Sequence, residues 1–190
     1  MPTNPHSRLQ GGSALLLIDV INDFDFPEGE QLLHYALPAA KRIAELKERA
    51  HAHEVPVIYV NDNFGRWRSD FQQQIEHCSA RRGDVKELVD SLRPGDDDYF
   101  ILKPKHSGFF STSLEVLLES LNISRLILTG FAADICVLYT ANDAYMRDFA
   151  LCVPEDCVAS ESKEQYQFAL NHMRRQLRAD VKPGSGVTFE

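Results

Sequence analysis

The chain has 190 residues, of which 44% are hydrophobic and 25% charged, enough for one domain with its own core and no need of staples. Its formal net charge of −8, with basic residues scattered along the chain, argues against a nucleic-acid or anionic-membrane partner, because either requires a basic face.

In chain order, ALLLIDV (14–20), VPVIYV (55–60), YFILK (99–103), RLILTG (125–130) and ALCVP (150–154) are apolar runs, with RADVK (178–182) a weaker sixth. They are short and continuous rather than alternating, as strands are when both faces of a parallel sheet are covered. Between the first two, Ala39, Ile43, Leu46 and Ala50 form one helical stripe, with Pro38 suited to a first turn. Residues 61–83 are the longest irregular stretch and are expected to form a lid or specificity loop. Residues 111–121 open on Ser/Thr caps and carry Leu114, Leu117, Leu118 and Leu121, and further helices are expected over 134–148 and 161–176. This alternation predicts a single-domain, doubly wound α/β fold with a six-stranded parallel sheet flanked by helices. The domain is expected over residues 13–182, after an N-terminal segment 1–12 and before a C-terminal tail 183–190 that extends beyond the core or packs on a neighbour.

No apolar run approaches the roughly 20 residues of a membrane helix, and MPTNPHSRLQGGSA lacks the apolar core of a secretory signal. The four cysteines, Cys78, Cys136, Cys152 and Cys157, have no paired CxxC spacing. A cytoplasmic protein with reduced thiols is therefore expected.

Ligands of doubly wound sheets bind beyond the carboxyl ends of the strands. That rule selects Asp19, Asn61-Asp62, Lys103 and Cys136, which follow the first four runs in turn. A cysteine attacks as its thiolate, and free thiols have a pKa of about 8.5. A helix start and a nearby ammonium, here Lys103, are both means of lowering it. Asp19 is placed to take the thiol proton and later pass it to a leaving group. Each residue also has a plainer use: Asp19 as cap of a short helix at 21–24, Lys103 as a solvated strand end, Cys136 as core packing. Residue type alone leaves both uses open, and the convergence of all three at one sheet edge favours chemistry.

The segments LLLIDVINDF, LKPKHSGFFSTSLEVLL and LTGFAADICVLYTANDAYMRDF resemble the isochorismatase-like cysteine hydrolases. That superfamily includes nicotinamidases, N-carbamoylsarcosine amidases, ureidoacrylate hydrolases and isochorismatases, and the likeness runs from about residue 13 to about 182. The resemblance implies a catalytic triad of Asp19, Lys103 and Cys136, and a cis peptide bond between Phe131 and Ala132. It also implies an oxyanion hole from the backbone N–H groups of Ala132 and Cys136. Gly130, just before, gives the backbone room to turn or is an ordinary strand-to-loop glycine. Hydrolysis of a small amide-type C–N bond through a Cys136 thioester is the expected activity, with no organic cofactor.

Metal-dependent nicotinamidases resemble one another in an Asp-x-His pair after the second strand. Here Asn61-Asp62-Asn63-Phe64 puts Phe64 at the histidine position, so no metal is expected. His77, in the same irregular stretch, reads as a loop histidine. Isochorismatases cleave a vinyl ether, and TANDAYMRD looks much like their segment. Ether cleavage with Asp19 as general acid is therefore the alternative, and a non-catalytic small-acid binding or assembly protein on the same fold is a third reading.

The loop NDNFGRWRSDF supplies Arg66, Trp67 and Arg68. An arginine there would pair with a substrate carboxylate, and Trp67, the one tryptophan, would floor a planar substrate or pack the loop. Phe24, Phe109 and Phe110 are expected as apolar pocket walls or as core, and His106 as a substrate contact or a plain loop residue. Asp96-Asp97-Asp98 reads as a solvated turn, Cys78 as exposed, and Cys152 and Cys157 as core. The resemblance further implies a homo-oligomer, dimer or tetramer, acting on a small molecule.

Overall fold

The computed structural model describes residues 11–63 and 71–189. Its strands are β1 (Gly12–Ile18), β2 (Val57–Asp62), β3 (Tyr99–Lys103), β4 (Ile123–Phe131), β5 (Ala150–Pro154), β6 (Val158–Ala159) and β7 (Asp180–Lys182). The helices are α1 (Gly29–Ala52), α2 (Phe71–Ser79), α3 (Asp84–Ser91), α4 (Leu114–Ser120), α5 (Leu138–Tyr145) and α6 (Lys163–Gln176). The sheet runs β3-β2-β1-β4-β5-β7 with every pair parallel, and the two-residue β6 adds a seventh strand alongside the last two residues of β4. It is the doubly wound α/β sheet expected from the alternation, with the weak sixth run present as β7.

The unbroken apolar runs follow from this burial. Along β1, Leu15 and Leu17 pack into the core shared with α1, α2 and α3, while Ala14, Leu16 and Ile18 pack into the core beneath α4, α5 and α6. Strand order reverses between β1 and β4, which makes their carboxyl ends the switch point where such folds hold ligands.

Three expectations about elements change. Helix α1 begins at Gly29, so Pro38 lies inside it rather than in its first turn. The buried stripe Leu32, Ala36, Ala39, Ile43, Leu46 and Ala50 runs on both sides of the proline and outweighs the lost backbone bond. Within the expected loop at 61–83, Phe71–Ser79 forms α2, whose Phe71, Ile75 and Cys78 are buried at helical spacing. Cys78 is therefore core rather than exposed, at 1% accessibility. His77 also lies on this helix and pairs with Asp23 at 2.9 Å.

The tail, read as leaving the core or seeking a neighbour, folds back on its own domain. The Arg49 guanidinium donates to the Gly184 and Val187 carbonyls at 2.8 and 2.6 Å, and Val187 is buried.

Asp98 is likewise no solvated turn residue, because its side chain is only 2% exposed. It accepts from Lys47 Nζ at 3.0 Å, His51 Nε2 at 2.7 Å and the Gly95 N–H at 2.7 Å, tying α1 to the start of β3. Burial works to raise its pKa, but the Gly95, His51 and Lys47 donors outweigh that and hold the carboxyl below its ordinary value. A depressed carboxylate contributes stability in full above its unfolded pKa of about 3.9, and that contribution is lost as pH falls through the lower folded value. Asp98→Asn is expected to cost about 2–4 kcal/mol at pH 7. Its stability should then fall less steeply than the parent's below about pH 4, read from denaturant midpoints at pH 7 and pH 3.

Candidate active site

At the carboxyl edge of the sheet, β1 ends as Asp19 turns the chain with φ 53°, its N–H donating to the Val60 carbonyl at 3.0 Å. No helix forms at 21–24, so the capping use of Asp19 falls away. The neighbouring strand ends on Asp62, which is in register with Lys103 of β3. Lys103 is fully buried and spans the width of β2 to reach Asp19 Oδ2 at 2.8 Å. The same ammonium lies 3.5 Å from Cys136 Sγ and 3.7 Å from Asp62 Oδ2. The second Asp19 oxygen accepts the Asp62 backbone N–H at 2.6 Å.

Cys136 arrives from β4. Gly130, with φ 115°, lies directly against Ile18, so close that a Cβ would sit 2.0 Å from the Ile18 carbonyl oxygen. The Phe131–Ala132 peptide is cis, and a π-helical turn over Ala133–Val137 carries the cysteine into α5. The Ala132 carbonyl accepts from the N–H groups of both Ile135 and Val137 at 3.2 Å, closing that turn around Cys136. The β1–β4 approach at Gly130 therefore brings Cys136 beside Asp19.

Electrostatically the cluster is a buried cation shared by acids. Burial raises the Asp19 pKa, and the Lys103 ammonium and the Cys136 thiol hydrogen bond oppose it. Burial also works against the charge on Lys103, but Asp19, Cys136 and Asp62 outweigh it and push that pKa up, so the lysine stays an ammonium. The thiol departs from expectation: burial, then the Asp19 carboxylate, push its pKa up rather than down. Two causes account for this. Lys103 is already neutralised by Asp19, and Cys136 is the fourth residue of its turn rather than the first of a helix. Burial and the neighbouring Asp19 carboxyl thus favour the thiol of Cys136 over a standing thiolate. A proton shift between Cys136 and Asp19 moves one negative charge within reach of Lys103 without changing the total.

Asp62 was legible only as a strand end; register with Lys103 is what makes it a neighbour of the cluster. Its carboxylate faces that ammonium, and among the described residues no three His, Cys, Asp or Glu side chains are grouped to hold a metal ion. Phe24 is buried with its ring 6.4 Å from that of Phe131, beside the cis peptide. Phe109 takes the core reading of its two: it packs against Phe149, under the Arg147 guanidinium. Phe110 is exposed. Arg66, Trp67 and Arg68, and Phe64 with them, lie outside the described residues. His106, read as a substrate contact or a plain loop residue, has its Nδ1 3.9 Å from Cys136 Sγ.

The Isochorismatase domain model matches residues 13–182. The isochorismatase family protein YaaI of Bacillus subtilis is 44% identical over 168 residues, covering 88% of this chain and 92% of that protein. Among solved structures, N-carbamoylsarcosine amidase from Thermoplasma acidophilum superposes with a TM-score of 0.69 at 28% identity, covering 92% of this chain and 98% of the other. The pyrazinamidase/nicotinamidase of Streptococcus mutans gives 0.70 at 28% identity, covering 89% and 99%. The matched domain takes in every strand of the sheet and the whole Asp19–Lys103–Cys136 cluster, and the chain belongs to the isochorismatase family of hydrolases.

Proposed function

We propose that this protein is a metal-independent cysteine hydrolase that cleaves an amide-type C–N bond of a small molecule through a Cys136 thioester. The observation that carries the reading is the position of one buried ammonium, Lys103, between the Asp19 carboxylate at 2.8 Å and the Cys136 sulfur at 3.5 Å. The amidase and nicotinamidase among the similar structures support it.

In this mechanism the thiol proton passes to Asp19 as sulfur attacks the carbonyl carbon, because the raised thiol pKa disfavours a standing thiolate. Lys103 holds both partners and stabilises the charge as it moves. The N–H groups of Ala132 and Cys136 bind the developing oxyanion, the interaction that usually contributes most to acyl transfer. Asp19 then protonates the departing amine, leaving the thioester for water. The substrate is a small, planar or carboxylate-bearing molecule, with Arg66 and Trp67 as its proposed contacts along with Phe24. A homo-oligomer is part of the same proposal, supported by the exposed apolar side chains of Phe110, Val116, Tyr139 and Met146. So is a reducing, cytoplasmic setting, supported by four unpaired cysteines.

The raised Asp19 pKa favours one rival, vinyl-ether cleavage with Asp19 as general acid, since an acid must hold its proton. Acid quench during turnover of a panel of small primary amides, ureido compounds and isochorismate separates the two. The proposal expects an acyl adduct at Cys136 by mass spectrometry and no turnover by Cys136→Ala. Turnover of isochorismate by Cys136→Ala, together with its loss in Asp19→Asn, would establish the ether chemistry instead.

A further inference from the structure

Near the Cys136 sulfur, one aromatic pair takes no part in the proton transfers proposed above. Lys103, 3.5 Å from Sγ, is fully buried, whereas His106, with Nδ1 3.9 Å from the same atom, is exposed. A molecule that approaches Sγ from solvent therefore passes beside this imidazole. Against the imidazole stands Tyr139 of α5, three residues past the nucleophile, a spacing at which helical side chains are neighbours. Tyr139 is 53% exposed, and its ring centroid lies 5.5 Å from that of His106 with the two planes 56° apart.

The backbone beneath this pair is held to the element that carries the nucleophile. Ser107 donates to the Asp143 carboxylate of α5, and the Gly108 N–H donates to Thr140 Oγ1 at 3.0 Å. Thr140, next to Tyr139, in turn donates through Oγ1 to the Cys136 carbonyl at 2.7 Å. Gly108 packs so closely that an added Cβ would lie 2.8 Å from Val60 Cγ1 and 3.2 Å from Leu114 Cδ2. His106, Tyr139 and the sulfur thus hang from one packed, hydrogen-bonded unit, and a group that settles against the two rings has little loop ordering to offset.

We propose that Tyr139 is a specificity-determining residue: with His106 it forms an aromatic edge beside the sulfur that selects flat, unsaturated acyl groups over saturated ones of the same size. The inference deepens the thioester reading above and rests on it for the position of the acyl group, which is bonded to Sγ and so stays beside the rings from attack to release. A flat group lying on one of these rings meets the other at a steep angle, the face-and-edge arrangement that aromatic groups prefer. A puckered ring of equal carbon count removes a similar apolar area from water but has no π face to present. Discrimination between the two therefore reads the rings themselves rather than general apolarity.

The test uses benzamide and cyclohexanecarboxamide, which carry one primary amide on a flat or a puckered six-carbon ring. Each is added to the full chain during alkylation of Cys136 by iodoacetamide, followed by peptide mass spectrometry, and every variant is compared with its own rate without the amide. Cys78, Cys152 and Cys157 are buried and serve as internal controls. In the parent, benzamide is expected to half-protect Cys136 at a concentration about 5–10-fold below that of cyclohexanecarboxamide. Tyr139→Ala should lose this preference and Tyr139→Phe, which keeps the ring, should retain it. Equal protection by the two amides in the parent, or protection by neither, overturns the inference, as does a Tyr139→Ala protein that keeps the parent's preference. Loss of the preference in Tyr139→Ala together with a smaller species in size-exclusion chromatography also overturns it, because Tyr139 would then serve subunit contact. Acid quench of the parent with benzamide tests the thioester separately: an intact preference with no benzoyl on Cys136 removes the thioester chemistry and keeps Tyr139 as the selecting contact.

Discussion

Lys103→Met is expected to destabilise the fold by about 3–5 kcal/mol at neutral pH and to lower kcat/KM by about 10²–10³-fold on any substrate the protein turns over. The lysine is wholly buried, and its charge is matched by Asp19 at 2.8 Å and Asp62 at 3.7 Å. Methionine fills most of the same volume, so the loss is one of charge rather than packing. With the ammonium gone, burial of Asp19 has nothing opposite to offset it, and the carboxyl, already raised in the parent, rises further. A carboxyl whose folded pKa exceeds its unfolded value near 3.9 destabilises progressively as pH rises from the unfolded value through the folded one. The deficit of Lys103→Met should therefore be smallest at acid pH, where Asp19 is neutral in both states, and grow toward pH 7.5. Denaturant midpoints of parent and variant at pH 3 and 7.5 check this. An equal deficit at both values would mean that the lysine acts by packing alone.

That cluster was largely legible in the sequence because strand-end placement depends on little more than element order. Once ALLLIDV, YFILK and RLILTG are strands of one parallel sheet, Asp19, Lys103 and Cys136 have to share an edge. What could not be read were effects of register and of competing partners. Asp62 joins the cluster because β2 pairs with β3 so that it lies opposite Lys103, and composition contains no register. The thiol was expected to be acidified by Lys103, but a cation already bound to Asp19 has little left to offer the sulfur. Asp98 looked like a solvated turn because it sits in a run of acids after Pro94-Gly95, and its three donors come from residues as distant as Lys47. Pro38 misled for a related reason. It has a common local meaning, a helix start, that tertiary packing overrode.

Gly130→Ala is expected to be the most damaging single methyl group that can be added here, costing more than about 4 kcal/mol or preventing accumulation of folded protein. The backbone at Gly130 has φ 115°, outside the range L-residues tolerate, and its Cβ would lie 2.0 Å from the Ile18 carbonyl oxygen and 2.7 Å from the Ile18 nitrogen. Both obstructing atoms are backbone in the central strand, so no side-chain rotation relieves them. Relief requires the ends of β1 and β4 to separate, and those ends carry Asp19 on one side and Cys136 on the other. Any molecules that do fold should consequently lose activity out of proportion to their loss of helix and sheet signal. Gly12→Ala is the control from the same strand pair: its Cβ meets nothing nearer than Ile123 Cδ1 at 3.9 Å, and it should change stability by less than about 1 kcal/mol. Thermal melts and soluble yields of the two variants decide it. If Gly130→Ala melts with Gly12→Ala, the β1–β4 approach is not the constraint that brings base and nucleophile together.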